Sequence, residues 1–475
     1  MTTTPDSQRA PVHRTAILAI ILISYFMILL DNSIIFTGLP SIQAGLDFTS
    51  SGLTWVQDAY TLTFGGLLLL AARAGDIIGR RRLFIIGLVV FTVASLLVGF
   101  APFGWWMIGA RALQGIGAAI VAPASLSLLT ATFPEGKERG RAVALYAATA
   151  GIGASLGMVI GGVFADLISW RAGFFINLPI GVAMIILALR FLAEQPRARG
   201  RFDVLGALCS TLGVGAIIFG IISSSEAGWG SPQTVASLAV GAVLLVLLVL
   251  NERRVPQPIM PLRLFASRAR SGAYAIRFLY LGAMMGFFFF TTQYLQNVLG
   301  WNPLQAGLGF LPMTVVNFAV AMAVPRLNRR IPSFGLLAAG VLATGGGMYA
   351  LSMVQADSSY AMAVGIPMLF IGLGQGLTFA PLTTYGISGV GAADAGAASG
   401  LLNTAHQLGS SVGLAILVAL GAGATAASSS TAAVVEQVHL ALSGSTLFLV
   451  LALIVAVAVI LPGELVRRRT VLAHV

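Results

Sequence analysis

Runs of about twenty apolar residues alternate with short polar breaks along almost the whole 475-residue chain. A helix that crosses a bilayer needs about 20 mostly apolar residues. Windows of that kind fall at approximately 15–37, 54–73, 83–101, 105–128, 142–164, 172–192, 204–222, 233–250, 272–296, 303–324, 333–354, 360–384, 398–424 and 443–463, which predicts fourteen membrane-spanning helices. The fold class expected is an all-α polytopic membrane protein. Arg9 and Arg14 precede the first run, and "FTGLPSIQAGL" follows it where a small-x-small cleavage pattern would be needed. That run reads as a retained span rather than a removed signal peptide.

Composition agrees. Hydrophobic residues make up 57% of the chain and charged residues 9%, against about 25% charged in a soluble domain. The formal net charge is +11, and of 27 cations only Lys137 is not arginine. Such a bias, with abundant Ala and Gly, is typical of a GC-rich bacterial coding sequence. With the N-terminus placed inside, 25 of the 27 cations fall in inside loops or at inside span ends, including "GRRR" (79–82), "KERGR" (137–141), "RARGR" (197–201), "RLNRR" (326–330) and Arg277. Outside breaks such as "APFGW" and "SSSEAGWGSPQ" carry none. This positive-inside pattern predicts cytoplasmic termini and a cell-membrane location. It also absorbs the basic charge, so a nucleic-acid role is excluded. The single cysteine, Cys209, cannot form an intramolecular disulfide.

The chain resembles itself. "AP" at 122–123 precedes Glu138-Arg-Gly140, and "AP" at 380–381 precedes Asp394-Ala-Gly396; "AARAGDIIGRRR" after the second span has a weaker counterpart in "VPRLNRRIPSFG". Parallel repeats around a midplane site mark secondary transporters. The division predicted is a tail (1–14), an N-terminal six-helix bundle (15–192), a linker with two extra spans (193–271), a C-terminal six-helix bundle (272–463) and a second tail (464–475).

Several stretches carry a family resemblance. "GDIIGRRR" (75–82), "RALQGIGAAIVAP" (111–123) and "GIGASLGMVIGG" (151–162) resemble the loop, span 4 and span 5 motifs of the major facilitator superfamily. "LDNSIIFTGLP" (30–40), "WVQDAY" (55–60), "SWRAGFFINLPIG" (169–181) and "AGAASGLLNTAHQLGSSVG" (395–413) are similar to its fourteen-span drug:proton antiporter branch. The resemblance implies two six-helix bundles related by a pseudo-two-fold axis plus two inserted helices. It departs at Ala72, where the loop motif usually opens with Gly, and at Met158, where the span 5 motif usually has Pro. Proline removes a backbone donor and kinks a helix, so the usual bend is not expected there.

Asp31 lies about 24 Å into the first span at 1.5 Å per residue, with Ser24, Tyr25 and Asn32 on or beside its face. An intramembrane carboxylate marks a functional site by default, and this one is read as the proton-exchanging group. Arg111 and Gln114 sit at a similar depth in the fourth span. The resemblance implies that Arg111 takes part in proton coupling near that acid; the alternative is a structural polar contact. Asp58, opening the second span, is either a contact for a cationic substrate or proton, or a solvated residue at a span end. The resemblance implies that Asp76, Gly79, Arg80 and Arg81 form a conformational latch at the inner surface; the plainer alternative is that the arginines only anchor topology. Gly153, Gly157, Gly161 and Gly162 allow close helix contact. In this family that span faces the other half, so packing and a sliding seal both remain open. Tyr280, Phe287, Tyr294 and His406 are candidate pocket residues, with lipid-facing bulk an equal reading of the Phe run and a hydrogen-bonded structural role the plainer reading of His406.

The function expected is proton-driven export of a small lipophilic or amphipathic, drug-like compound by alternating access. The competing readings are a proton-coupled uptake symporter and, from another class, a lipid scramblase or membrane enzyme. No P-loop, no "HExxH" and no catalytic or metal cluster is present, and "GLGQG" (372–376) lies within a span with no preceding strand. The expectation is a non-enzyme with the proton as coupling ion, no cofactor, no metal, and small molecule and bilayer as its partners, working as a monomer.

Overall fold

The computed structural model describes residues 13–49, 51–133, 137–194, 202–391, 394–425 and 431–464. They form long helices joined by short turns: α1 Arg14–Gly45, α2 Thr54–Ile78, α3 Arg80–Gly99, α4 Gly104–Thr132 and α5 Lys137–Leu167. Then come α6 Ala172–Phe191, α7 Val204–Ala227, α8 Pro232–Glu252, α9 Arg268–Val298, α10 Pro303–Leu327, α11 Ser333–Ser352, α12 Ala361–Gly386, α13 Ala395–Thr425 and α14 Thr431–Glu464. Twelve helices among the described residues are long and apolar enough to cross a membrane; α2 and α5 are the other long ones and interleave with them. The loops 195–201, 392–393 and 426–430, the tails 1–12 and 465–475, and the side chain of Asp76 lie outside what is described.

Packing separates two halves. In the first, α1 lies against α4, α5 and α6, while α3 and α2 flank α4. In the second, α9 lies against α12, α13 and α14, and α11 packs on α12 and α14. The extra pair α7 and α8 pack on each other, and α7 lies against α2 and α13, where the halves meet. A matched ion pair supports the internal repeat. Arg14 Nη1 at the start of α1 donates to Glu138 Oε2 at the start of α5, at 2.7 Å. In the second half Arg263, just before α9, donates through Nε and Nη2 to the two oxygens of Asp394, just before α13, at 3.1 and 2.6 Å. The Arg263 hydrogen bonds hold the exposed Asp394 carboxyl below its usual range. A depressed carboxylate favours the fold above its unfolded pKa, and that contribution disappears as pH falls through the folded pKa.

The helices start and stop where local chemistry allows. Ser231 accepts from the Thr234 amide at the start of α8, and Asn302 forms a reciprocal capping box with Gln305 at the start of α10; both satisfy amides that a helix start leaves open. Gly79 joins α2 to α3 with φ of +117°, a conformation that a side chain resists. Two boundaries differ from the hydropathy reading. α14 begins twelve residues earlier than 443, at Thr431, and its polar Gln437 is buried. α9 begins at Arg268, not 272, so Arg277 lies nine residues into the helix and is only 9% exposed. It is not a cation at a span end.

The Phe run also differs from the lipid-facing reading. Phe287, Phe289 and Phe290 are buried, and Phe288 packs against Phe36 of α1 with ring centroids 5.4 Å apart. The reason is that α9 is covered by α12, α13, α14 and α1. Helix α5 runs through Met158 with no break, as the missing proline implies.

The α5 glycines divide between two partners. A Cβ on Gly153 would meet Leu29, on Gly157 Ser33 and Leu30, and on Gly161 Ile34 and Thr37, all on α1 of the same half. Only Gly162 faces the other half, where a Cβ would lie 2.6 Å from the Pro303 carbonyl oxygen. The three-glycine stripe is therefore internal packing, and the contact between halves is made by Gly162 and by Met158 against Gly307 of α10. Inserted carbon in a close-packed contact costs about 1–3 kcal/mol. Gly161→Ala is expected to lower the thermal unfolding temperature of the purified protein. Gly162→Val is expected to leave that temperature near wild type while separating spin labels placed on α5 and α10.

Candidate functional site

One buried polar cluster lies inside the first half, built from side chains of four helices and a backbone carbonyl of a fifth. Asp31 of α1 is fully buried, as are Arg111 and Gln114 of α4, Ser95 of α3 and Asn177 of α6. Arg111 Nη1 donates to Asp31 Oδ2 at 2.7 Å. Asp31 Oδ1 accepts from Gln114 Nε2 and from Asn177 Nδ2, each at 2.7 Å. Gln114 also donates to Ser95 Oγ at 2.8 Å, and its Oε1 accepts from Arg111 Nη1 at 2.7 Å. Arg111 Nε donates to the Val56 carbonyl of α2 at 2.9 Å, and its guanidinium lies 4.3 Å over the Tyr60 ring. Both carboxylate oxygens are thus saturated by donors, which is how a buried charge is tolerated.

Small residues make this closeness possible. A Cβ on Gly115 would strike the Tyr60 carbonyl and Thr63 of α2, and one on Gly117 would come 2.6 Å from the Phe91 amide nitrogen of α3. The "RALQGIG" stretch therefore supplies Arg111, Gln114 and the close approach of α4 to α2 and α3.

Asp31, Arg111 and Gln114 are the residues that the sequence singled out, and the fold brings them together. Asn177 and Ser95 were not singled out. Asn177 sits in the quoted "SWRAGFFINLPIG", a signal that could have found it, whereas Ser95 is one hydroxyl in an apolar run. Asp58 is not in the cluster and is not a solvated end residue. It is fully buried, neither oxygen has a hydrogen-bond partner, and it lies by Ser411 of α13. One turn along, Thr61 contacts the Ser411 hydroxyl, so α13 of the second half covers this face of α2.

The remaining candidates separate. Tyr280 hydrogen-bonds Thr344 at 2.8 Å, Phe287 packs on Phe310, and Tyr294 donates to the Gln355 carbonyl at 2.7 Å, all within the second half's core. Tyr280 also lies by His406: both pack on the Phe379 ring, with centroids 5.9 and 6.5 Å away, and His406 Nδ1 lies 3.1 Å from Arg277 Nη2. At the arginine-rich end, Arg81 donates to the Leu189 carbonyl at 2.7 Å, and Arg82 faces Glu194 at 3.6 Å. A Cβ on Gly79 would run into that same carboxylate. These residues dock the α2–α3 turn onto the end of α6, in their own half. Arg80 is also engaged, and Arg73 reaches Gln257 of the linker at 2.6 Å.

This geometry agrees with what comparison finds. The profile of the Major Facilitator Superfamily matches residues 21–414. The chain belongs to the Major Facilitator Superfamily. It is 39% identical over 416 residues to the cephamycin export protein CmcT of Amycolatopsis lactamdurans, covering 86% of each chain. It is 35% identical to the puromycin resistance protein pur8 of Streptomyces alboniger, over 89% of this chain and 86% of the relative. It is 33% identical to the methylenomycin A resistance protein of Streptomyces coelicolor, over 83% and 82%. Among solved structures, a bacterial homolog of the human lysosomal transporter Spinster, inward-facing and unoccupied, superposes with TM-score 0.67 at 15% identity, over 95% and 98% of the two chains. The human organic anion transporter MFSD10 superposes with TM-score 0.61 at 14% identity, over 94% and 100%. At such identities the likeness is one of fold. The two bundles are those of the major facilitator fold, in a multi-pass membrane protein of a transporter family.

Removing one member of a buried ion pair leaves an uncompensated charge and costs about 3–5 kcal/mol. Arg111→Met is therefore expected to destabilise this major facilitator bundle strongly, and adding Asp31→Asn should restore most of the loss. Thermal unfolding of the two single variants and the double variant in detergent checks the coupling; additive losses would mean the pair is not coupled.

Proposed function

We propose that this protein exports small lipophilic or amphipathic, antibiotic-like compounds in exchange for protons, by alternating access. The observation that carries the reading is the sealed Asp31–Arg111–Gln114–Asn177 cluster. Arginine does not lose its proton in proteins, so Asp31 is the member that can exchange one. Protonating it removes the countercharge of Arg111 and one acceptor site for Gln114 or Asn177. Hydrogen bonds to charged groups contribute about 1.5–3 kcal/mol each. Two or three of them match the roughly 5.5 kcal/mol needed to invert a 1:99 conformational ratio. The ties weakened are those joining α1 to α4 and α6, so a proton on Asp31 loosens the first half at its centre. Ser24, two turns along the same face of α1, has a hydroxyl without a protein partner and is a candidate relay.

The substrate class is supported by relatives whose names join them to export of, or resistance to, cephamycin, puromycin and methylenomycin A. The arginine distribution supports a cell-membrane location with both termini cytoplasmic. With that orientation, contacts of α5 with the second half lie at its outer end, through Gly162 and Met158. Gln296 of α9 likewise donates to the Thr37 carbonyl of α1 near that end, at 2.9 Å. Closure there supports an inward-facing arrangement. On this reading the protein is no enzyme, works as a single copy, engages no nucleic acid and needs no metal or cofactor beyond the proton.

Everted vesicles with an imposed pH gradient and a panel of antibiotics test the proposal. Asp31→Asn keeps the size of the side chain and removes the exchangeable charge. Gradient-driven transport is expected to fall on the order of a hundredfold, the scale set by losing a positioned acid–base group, while substrate binding persists. Transport by the intact protein that continues after the gradient is collapsed would falsify proton coupling.

A further inference from the structure

The cation that the sequence placed at a span end has no counterion among the described residues. Arg277 lies about 14 Å along α9 from Arg268 at 1.5 Å per residue and is at least nine-tenths buried. Its Nη2 meets His406 Nδ1 at 3.1 Å, and its guanidinium carbon lies 4.3 Å over the Phe379 ring of α12. Nε and Nη1 make no hydrogen bond to the protein. Because Nδ1 of His406 accepts, that ring carries its hydrogen on Nε2 and brings no negative charge.

Among the described residues no carboxylate faces the group. α9, α12 and α13 carry no Asp or Glu along their lengths. Of the acids on the neighbouring helices, Asp31 of α1 is committed to Arg111, Glu138 of α5 to Arg14, and Glu464 at the end of α14 accepts from Tyr385, while Asp166 is at the far end of α5 and Glu436 is exposed near the start of α14. Tyr280 on α9 and Tyr25 on α1 lie within electrostatic range of Arg277. Tyr25 belongs to the first half and stacks on Tyr146 of α5 with ring centroids 4.1 Å apart and planes 12° apart. Arg277 therefore lies toward the seam between the halves, with the Phe379 ring of the second half against its guanidinium and Tyr25 of the first half in electrostatic range. Arg111 contrasts in having a countercharge: its Nη1 and Nε reach an acid, an amide and a carbonyl in its own half, and Nη2 alone has no partner among the described residues.

An intramembrane charge that is buried and unpaired is costly and marks a functional site. Stacking on Phe379 and one bond to a neutral imidazole leave most of the guanidinium donors unused. What completes the site is a single negative group joined to an apolar, ring-containing body: the charge on Arg277, the body on Phe379, Tyr25 and Tyr146. Arginine suits this task because its donors match the oxygens of a carboxylate or sulfonate. We propose that Arg277 is the anion-binding point of the transport path, and that the compounds this protein takes include lipophilic monoanions. The inference rests on the export reading above and names part of its substrate class.

The test uses the full-length protein in nanodiscs of neutral lipid, with radiolabelled 2-naphthoate and its neutral counterpart 2-naphthamide. Wild type is expected to bind the carboxylate at least about tenfold tighter than the amide, in keeping with a charge-assisted bond. Arg277→Met should lose that preference while binding the amide as before, and Arg277→Lys should keep part of it. Equal affinities in wild type, or a preference that survives Arg277→Met, overturn the proposal. A second measurement needs no variant. Naphthoate, and not naphthamide, should protect Arg277 of the wild-type protein from phenylglyoxal, read by peptide mass spectrometry; equal protection by both overturns the proposal even if the variants do not fold. Vesicle transport separates the two readings. Charge-selective binding with no gradient-driven export defeats the export reading alone, and export without charge selectivity defeats this inference alone.

Discussion

A carboxylate and a guanidinium held 2.7 Å apart away from water set the terms for the whole first half. Neither ion can be moved to a low-dielectric interior without several hydrogen bonds to each, because desolvation otherwise outweighs attraction. Meeting that requirement recruits four helices besides α1: the Gln114 amide on α4, Asn177 on α6, Ser95 on α3 and a backbone carbonyl on α2. It also explains the glycines. Side chains as short as Asp and Asn reach one another only if the backbones come close, and Gly173 brings α6 to α1 while Gly115 and Gly117 bring α4 to α2 and α3.

The second half repeats the topology without repeating the pair. Its interior polar contacts include hydroxyl pairs, as at Tyr280 and Thr344, which need no countercharge, and the Arg277–His406 contact. The matched Arg14–Glu138 and Arg263–Asp394 contacts show that the repeat holds at the helix starts, where side chains meet water. Inside, the two halves have diverged: one holds its acid, the other leaves an arginine facing the seam. Coupling a proton in one half to a ligand at the boundary requires this kind of asymmetry, since each ligand must favour one arrangement over another.

The seam itself is built from two kinds of contact. α2 and α13 run together closely enough for Thr404 to donate to the Gly65 carbonyl, and Gly65 leaves room for Gln407. α5 meets α10 only near one end, through Gly162 and Gly307. A long seam and a short one form a hinge-like arrangement, in which the short seam can part while the long one pivots. The glycine stripe at 153, 157 and 161 belongs to neither, since it fixes α5 to α1.

The sequence by itself determined the class, the helix pattern, the repeat, and the three residues Asp31, Arg111 and Gln114. Each is a local property: apolar runs of membrane length, and polar groups too costly in such a run to be incidental. Tertiary structure decided the rest, because partners are nonlocal. Asn177 reaches Asp31 across 146 positions of chain, and nothing near either residue encodes the contact. Asp58, four residues inside its helix start, looked solvent-reachable until α13 was seen to cover it. Arg277 counted as a topology signal because hydropathy ends a span at its charges. The helix instead starts at Arg268, with its polar first turns sheltered by neighbours. Burial and pairing depend on what packs across from a residue, and only the folded bundle supplies that.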